Sequence, residues 1–434
     1  MPVTGGRFYP LTVQLRLFVA ILSAATCLPV SGLAQQAYTW AQIKDRFQNN
    51  NPTVRAGQDA IAESKAQEIT AFLRPNPGLT LSTDGTQLTP SGGYRPLAGT
   101  QFGPNVSYLH ERENKRELRL DSAKHGTQIA VSQQEDLVRN LLFNLRSAFV
   151  QALQAKAVRD VAKDNLDYYD KFLAVSRDRL QAGDIAQVDM MRLDLQRVQY
   201  ESDLQTAEVN FRTAKIQLLQ LMNDRTPIEQ FDVTGPFDFN ETVTPLDEVR
   251  RLALDARPDL RAAVQAIEKS KIDHDLAVSN GSTDPTYSVW ITHNPSFNNP
   301  YDHNTVGASV TIPLRFFDRN QGEKERTEID IRRNERLRDA AVAQVYSDVD
   351  SAYATLNSTV ILLRPYKAKY LDEATKVRDT ITFAYQHGGA SLLDFLSAEN
   401  DYRALRLSYL NLVGSYLNAA GQLNLAVGRE VITQ

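Results

Sequence analysis

From Phe395 to Ala426 the apolar side chains step alternately by three and four residues, through Ala398, Tyr402, Leu405, Tyr409, Leu412, Tyr416, Ala419 and Leu423. A 3-4 alternation kept up over that length is the seam of a coiled coil, not the broad apolar face of a globular helix. Moving back 205 residues reproduces it: Met190, Leu193, Tyr200, Leu204, Ala207, Phe211, Ala214, Leu218 and Leu221 stand at the matching positions, and only Arg197 departs. An offset of 205 to 206 also relates "AIAESK" (60–65) to "AIEKSK" (266–271), Asn51-Pro52 to Arg257-Pro258, Gly183 to Gly388 and Asp189 to Asp394. The chain is a tandem duplication of one long unit. Each unit has to build its core by packing long helices side by side.

Both units read in the same order. A helix of moderate length comes first, over 53–73 and again over 260–278. Pro75, Pro77 and Gly78 end the first copy; Asn280, Gly281 and Pro285 end the second. Two strands follow in each unit, 79–88 and 104–111, then 286–293 and 305–314. In the last of these Val306, Ala308, Val310, Ile312 and Leu314 fall on one face, with Gly307, Ser309 and Thr311 on the other. About ten residues is the length a strand needs to cross a bilayer at a tilt.

Each strand pair leads into a very long helix. The first spans 113–181, roughly 100 Å at 1.5 Å per residue, and returns over 184–221. The second runs over 319–386 and returns over 391–426, with Pro365 inside it and no proline at the matching Asp160. That proline predicts a kink or one loosened turn. Four strands per chain leave two open edges, which lipid does not tolerate, so a membrane role for them demands strands from other chains.

The start of the sequence sets the compartment. Arg7 and Arg16 precede an apolar run over 17–28, followed by Gly32 and Ala34. This reads as a secretory signal over 1–34, cleaved before Gln35. A rival reading makes Cys27 a lipidation site, although Thr26 is a poor residue to precede one. Cys27 is the only cysteine, so the mature chain otherwise has no thiol chemistry. Losing two arginines takes the net charge from −4 to −6, a mildly acidic balance that argues against nucleic acid as a partner. No later run approaches the ~18 apolar residues of a membrane helix. These features indicate export into a Gram-negative envelope.

The duplicated layout, "IPLRFFDRNQGE" (312–323) leaving the last strand, "YQHGGASLLDFLSAE" (385–399) and "ERENKRE" (111–117) together resemble TolC-family outer-membrane efflux channels, most of all the CzcC/CusC-type branch linked to heavy-metal export. Asn114 stands where that family's strand exit usually has glycine. The resemblance covers essentially the whole mature chain. It implies a mostly α fold with a small membrane β part: two long helical hairpins forming a coiled-coil α-barrel, and four transmembrane strands per chain. A homotrimer would close these into a 12-stranded barrel. The layout becomes a signal peptide (1–34), a first repeat (35–222), an inter-repeat equatorial segment (223–245), a second repeat (246–428) and a tail (429–434). The implied function is the passive exit duct of a tripartite efflux system, set in outer-membrane lipid with a long periplasmic portion. It would carry heavy-metal cations or small toxic compounds delivered by an inner-membrane pump through a periplasmic adaptor.

In that picture the glycine breaks are the periplasmic tips of the hairpins. Gly183 and Gly388, the latter followed by Gly389, suit a helix C′ position with positive φ. Ser391 and Asp394 have the spacing of a capping box, and Asp184 is expected to cap the first return helix. The resemblance also implies a periplasmic gate. Acidic side chains, here Asp394 and Asp189, would ring the narrowest aperture, and an Asp–Tyr contact between neighbouring hairpins, with Asp189 and Tyr385 at the matching positions, would help keep it shut. Asp394 is gate, cap or both. The arginine that follows the glycine turn in the family is Ala390 here, so the full latch is not carried over, and opening calls for a push from the adaptor.

Other chemistry is not signalled. His110, His125, His274, His293, His303 and His387 are scattered without metal-ligand spacing. No nucleophile–base set and no phosphate-cradling glycine loop stands out. The expectation is neither enzyme, cofactor nor metal site. The alternative of a periplasmic coiled-coil adaptor or scaffold calls for one hairpin flanked by lipoyl-like segments. Two hairpins, each preceded by a strand pair, favour the duct.

Overall fold

The computed structural model describes residues 36–86, 100–294 and 303–432. The expected signal segment, with Cys27, and most of both inter-strand loops lie outside the described residues. Each repeat opens with a short helix that periodicity did not single out, α1 (Trp40–Asn50) and α5 (Leu246–Ala256). Each is followed directly by the expected helix of moderate length, α2 (Pro52–Phe72) and α6 (Pro258–Asn280). The joints are Asn51 and Arg257, extended residues that end one helix and start the next, with proline at the first position where its missing N–H costs nothing.

The long columns follow. α3 (Lys115–Ala182) is a single helix of 68 residues, and α4 (Gln187–Leu221) returns along it. In the second copy α7 (Gln321–Pro365) ends at the proline, a π turn follows over Tyr366–Tyr370, and α8 (Leu371–Gln386) completes the column. Pro365 has no N–H to give to the turn before it, and Leu371 donates to the carbonyl of Tyr366, five residues back. α9 (Leu392–Val427) returns. The first outgoing column is thus one rod and the second is two pieces joined at a loosened turn.

The end of each returning helix meets the start of its own repeat's moderate helix, α4 with α2 and α9 with α6, alongside the outgoing column. Asn51 Nδ2 donates to the carbonyl of Leu221 at 3.0 Å, and Arg257 Nη1 donates to that of Ala426 at 3.3 Å. Helix-end carbonyls without an intrahelical partner are satisfied at equivalent places in both copies. α3 lies at the centre, packing on α2 and α4 of its own repeat and on α6 and α9 of the other.

Segment 223–245 is a strap around both hairpins. Its strand β4 (Phe231–Val233) pairs in parallel with β1 (Gln36–Tyr38). Asp232 binds Lys156 of α3 at 2.7 Å, and Asp238 binds Lys367 of the π turn at 2.6 Å.

The remaining strands, β2 (Gly78–Asp84), β3 (Gln101–Leu109), β5 (Thr286–His293) and β6 (Asn304–Thr311), form one antiparallel sheet in that order. β2 stops at Asp84 and β6 at Thr311, short of the expected ends at 88 and 314; residues 87–88 lie outside the described residues, and Ile312 and Leu314 leave the ladder but stay exposed. Register aligns Leu79, Val106, Val289 and Ala308 across all four strands, and Ser107, Ser288 and Ser309 on the opposite face. Leu79, Leu81, Val106, Val289, Val306 and Val310 are all about half exposed or more. Ser107 and Ser288 on the other face are half-buried, and an apolar face left this exposed is what strands in lipid carry. No described helix is long and apolar enough to cross a membrane.

Candidate functional site at the hairpin tips

Both tips are built by the same turn. α3 ends at Gly183 with φ 87°, and Asp184 N–H donates back to the carbonyl of Arg179 at 2.9 Å. Gly388 has φ 78°, and Gly389 N–H donates to the carbonyl of Ala384 at 2.7 Å. Left-handed backbone at these two points is what glycine permits without steric cost.

The copies then differ in how the return helix starts. In the second, Ser391 and Asp394 form a reciprocal box. Ser391 N–H and Oγ donate to Asp394 Oδ2 at 3.0 and 2.7 Å, and Asp394 N–H donates to Ser391 Oγ at 3.2 Å. The Ser391 hydroxyl and backbone N–H hold the Asp394 carboxyl below the usual carboxylate range. In the first copy the equivalent of Ser391 is Ala186, and α4 has no side-chain cap. This corrects the expectation for Asp184: the turn carries two more residues before the helix begins, so Asp184 stands too early to cap it. Asp189, the equivalent of Asp394, consequently has no capping hydroxyl; its nearest cation is Arg192 at 3.8 Å.

Behind the tips lies an aromatic core shared by both hairpins. Phe172 of α3 stacks on Phe395 of α9 at 4.1 Å, and Tyr385 of α8 lies 5.4 Å from Phe395. Tyr169 stacks on Tyr200 at 4.6 Å and donates its hydroxyl to the carbonyl of Leu193 at 3.1 Å. Tyr385 is buried, and its hydroxyl has no hydrogen-bond partner among the described residues. Burial, with the Asp189 charge adding to it and the Arg179 charge opposing, raises its pKa. No hydrogen bond joins Asp189 to Tyr385 within the chain's described residues. The cation brought to Tyr385 is Arg179, whose Nη1 donates to its backbone carbonyl at 3.2 Å with the guanidinium 5.5 Å from the ring centre. Arg179 was not singled out from the sequence, where it is one more basic residue near a helix end. Ala390, at the family's arginine position, packs partly against the aromatic core.

The histidines stay apart. His387 Nδ1 faces the carbonyl of Phe383 at 2.8 Å, and His293 and His303 each engage Asn304 or Asn294 across the β5–β6 turn. No group of three or more potential metal ligands occurs among the described residues.

Two long hairpins crowned by an outward-apolar sheet define a subunit of a channel that bridges a membrane and the space beside it. The family described as outer membrane efflux protein matches residues 44–224 and 249–429, two segments standing 205 residues apart, the same offset as the internal repeat. The chain belongs to that family. It is 24% identical over 332 residues to the cobalt-zinc-cadmium resistance protein CzcC of Cupriavidus metallidurans, covering 74% of this chain and 75% of that protein. It is 22% identical over 402 residues to the pyoverdine export outer membrane protein OpmQ of Pseudomonas aeruginosa, covering 87% and 82%. Among solved structures, CusC superposes with a TM-score of 0.74 at 17% identity, over 90% of this chain and 92% of that one. The open state of the Neisseria gonorrhoeae MtrE outer membrane channel gives 0.72 at 16% identity, over 94% of each. The protein is therefore an exit duct of a tripartite efflux system in the Gram-negative outer membrane, with a long periplasmic helical part, and not an enzyme. Its family works as trimers with a periplasmic adaptor and an inner-membrane pump. The adaptor reading is set aside.

Proposed function

We propose that three copies close one duct, with a 12-stranded barrel in outer-membrane lipid and a helical tunnel that shuts at the tips. The observation that carries this is a second apolar seam left open on α4: Val188, Met191, Leu195, Val198, Val209 and Ile216 fit one 3-4 repeat and are all more than half exposed. A coiled-coil seam with no partner in its own chain asks for a helix from another. The free edges of β2 and β6 make the same demand on the sheet. A heterologous contact that closes after three copies satisfies both.

At the tips of such a ring, Asp189 is the acidic group available to face a passing cation, because Asp394 is engaged with Ser391. Asp189 and Asp394 with Tyr385 form the gate region, Gly183, Asp184, Gly388, Gly389 and Ser391 shape its turns, and Arg179 takes the place left by Ala390. An adaptor seated on the tips supplies the opening force. The cargo is heavy-metal cations or small toxic compounds; one relative's name refers to cobalt, zinc and cadmium and the other's to pyoverdine. Reversal potentials in planar bilayers test the gate. Asp189→Ala is expected to lower cation preference more than Asp394→Ala, and equal, unchanged preference in both variants refutes an acidic constriction here.

A further inference from the structure

Glu399 is buried where the two hairpins meet, one turn further from the tip than Phe395. It is 5% exposed, and its Oε1 has no hydrogen-bond partner among the described residues. Around it stand Tyr168 and Tyr169 of α3, Tyr200 of α4, Arg378 and Asp379 of α8, and Arg403 of its own helix. Both guanidiniums already have a carboxylate: Arg378 pairs with Asp379 at 2.7 Å and Arg403 with Asp203 at 2.8 Å. Arg378 also lies 5.0 Å over the Tyr168 ring and 4.1 Å over that of Tyr402. Asp379 and Asp203 reach solvent from these pairs, whereas Glu399 is enclosed by the aromatic side chains. The carboxyl without its own cation is Glu399. Burial raises its pKa to about 7 from an ordinary 4.5, the tyrosine and arginines only partly opposing.

The column that carries Arg378 and Asp379 is the one interrupted by the π turn at Tyr366–Tyr370, where Lys367 is held to the strap. Below that turn α8 and the tip end of α9, a helix that itself runs unbroken past the turn, meet α3 and α4 through the layer that contains Glu399. We propose that Glu399 is a proton-operated latch between the hairpins: neutral, it keeps α8 and the tip end of α9 docked on α3 and α4; ionised, it loosens that contact and lets α8 move away below the π turn. The docked form holds the proton to higher pH than the separated form. Docking is therefore strongest below the ordinary carboxylate pKa, weakens as pH rises, and levels off above about 7. The span from 4.5 to about 7 corresponds to roughly a 300-fold fall in the docking constant.

The consequence for transport, a wider duct at higher pH, rests on the reading of the tips as the closing end. Separation of the hairpins is measurable without it. Spin labels attached through Asp164→Cys on α3 and Lys376→Cys on α8, both exposed positions, report the distance in full-length protein diluted with unlabelled chains. The expected result is a short distance at pH 5 that gives way to a longer one at pH 8, with Glu399→Gln short at both. A wild-type distance unchanged between pH 5 and pH 8 overturns the latch, whether or not the variant folds. So does a Glu399→Gln protein that shifts with pH as the wild type does, or stays apart at both values. A protein that conducts but shows no pH-dependent separation refutes the latch alone and leaves the duct reading standing.

Discussion

Arg179 and Tyr385 stand 206 residues apart in sequence, yet Arg179 Nη1 donates to the Tyr385 carbonyl at 3.2 Å and ties the two outgoing helices together in their last turns. A charge-assisted hydrogen bond at a half-buried site contributes about 1–2 kcal/mol. Arg179→Ala is expected to raise the open probability several-fold in single-channel recordings. A variant that stays shut as firmly as the wild type assigns closure to other contacts.

The two return helices offer a paired test of capping. Ala186→Ser gives the first copy the box that Ser391 and Asp394 make in the second, and is expected to stabilise the protein by about 0.5–1 kcal/mol. Ser391→Ala is expected to lower the melting temperature. Scanning calorimetry of the purified protein checks both, and a melting temperature that does not rise with Ala186→Ser shows that the first tip cannot adopt the second tip's geometry.

Pro365 interrupts a column that is continuous in the first repeat. Proline inside a helix costs about 3 kcal/mol against alanine, part of which the π turn recovers. Pro365→Ala is expected to stabilise the fold by about 1–2 kcal/mol and to slow amide exchange around 366–370. Exchange as fast as in the wild type would place the origin of the π turn in the strap contact of Lys367, not in the proline.

Lys115 is buried at the start of α3, where its Nζ meets Asp284 at 2.6 Å. Burial disfavours the Asp284 carboxylate, but hydrogen bonds from the Lys115 ammonium and the Arg112 N–H outweigh it and hold the pKa below the ordinary value. A lowered carboxyl pKa contributes stability that is present above the ordinary carboxylate range and lost as pH falls below it. Asp284→Asn leaves Lys115 unpaired and is expected to cost about 2–3 kcal/mol at neutral pH. It should also remove part of the stability loss expected of the wild type as pH falls from 5 to 3. An acid limb identical in both proteins shows that Asp284 does not contribute to it.

The long elements were legible because a coiled-coil seam repeats over many turns and leaves a periodic record, and duplication wrote it twice. The turn loosened at Pro365 could be expected from the missing N–H alone. α1 and α5 escaped notice although Ile43 and Phe47, or Val249 and Ala253, sit one turn apart; eleven residues carry too few periods to stand out. The β1–β4 pair joins three residues that open the first repeat to three in the inter-repeat segment, and nothing local encodes a partner so distant. At the tips, Gly183 and Gly388 announced the turns. The difference between the copies was also in view, since Ala186 stands where Ser391 does, and it weighs against equal roles for Asp189 and Asp394. Arg179 and Glu399 left no signal, because their roles arise from which helices meet.

On the proposed function, this chain assembles with two further copies into a closed ring in the outer membrane. The mass of the complex extracted in mild detergent from the outer-membrane fraction, measured by native mass spectrometry, tests it most directly. The expected result is three copies of the chain, with Val198→Glu in the open seam of α4 shifting the population toward monomers. A monomer recovered from the soluble periplasm, with no trimer in the membrane fraction, would contradict it.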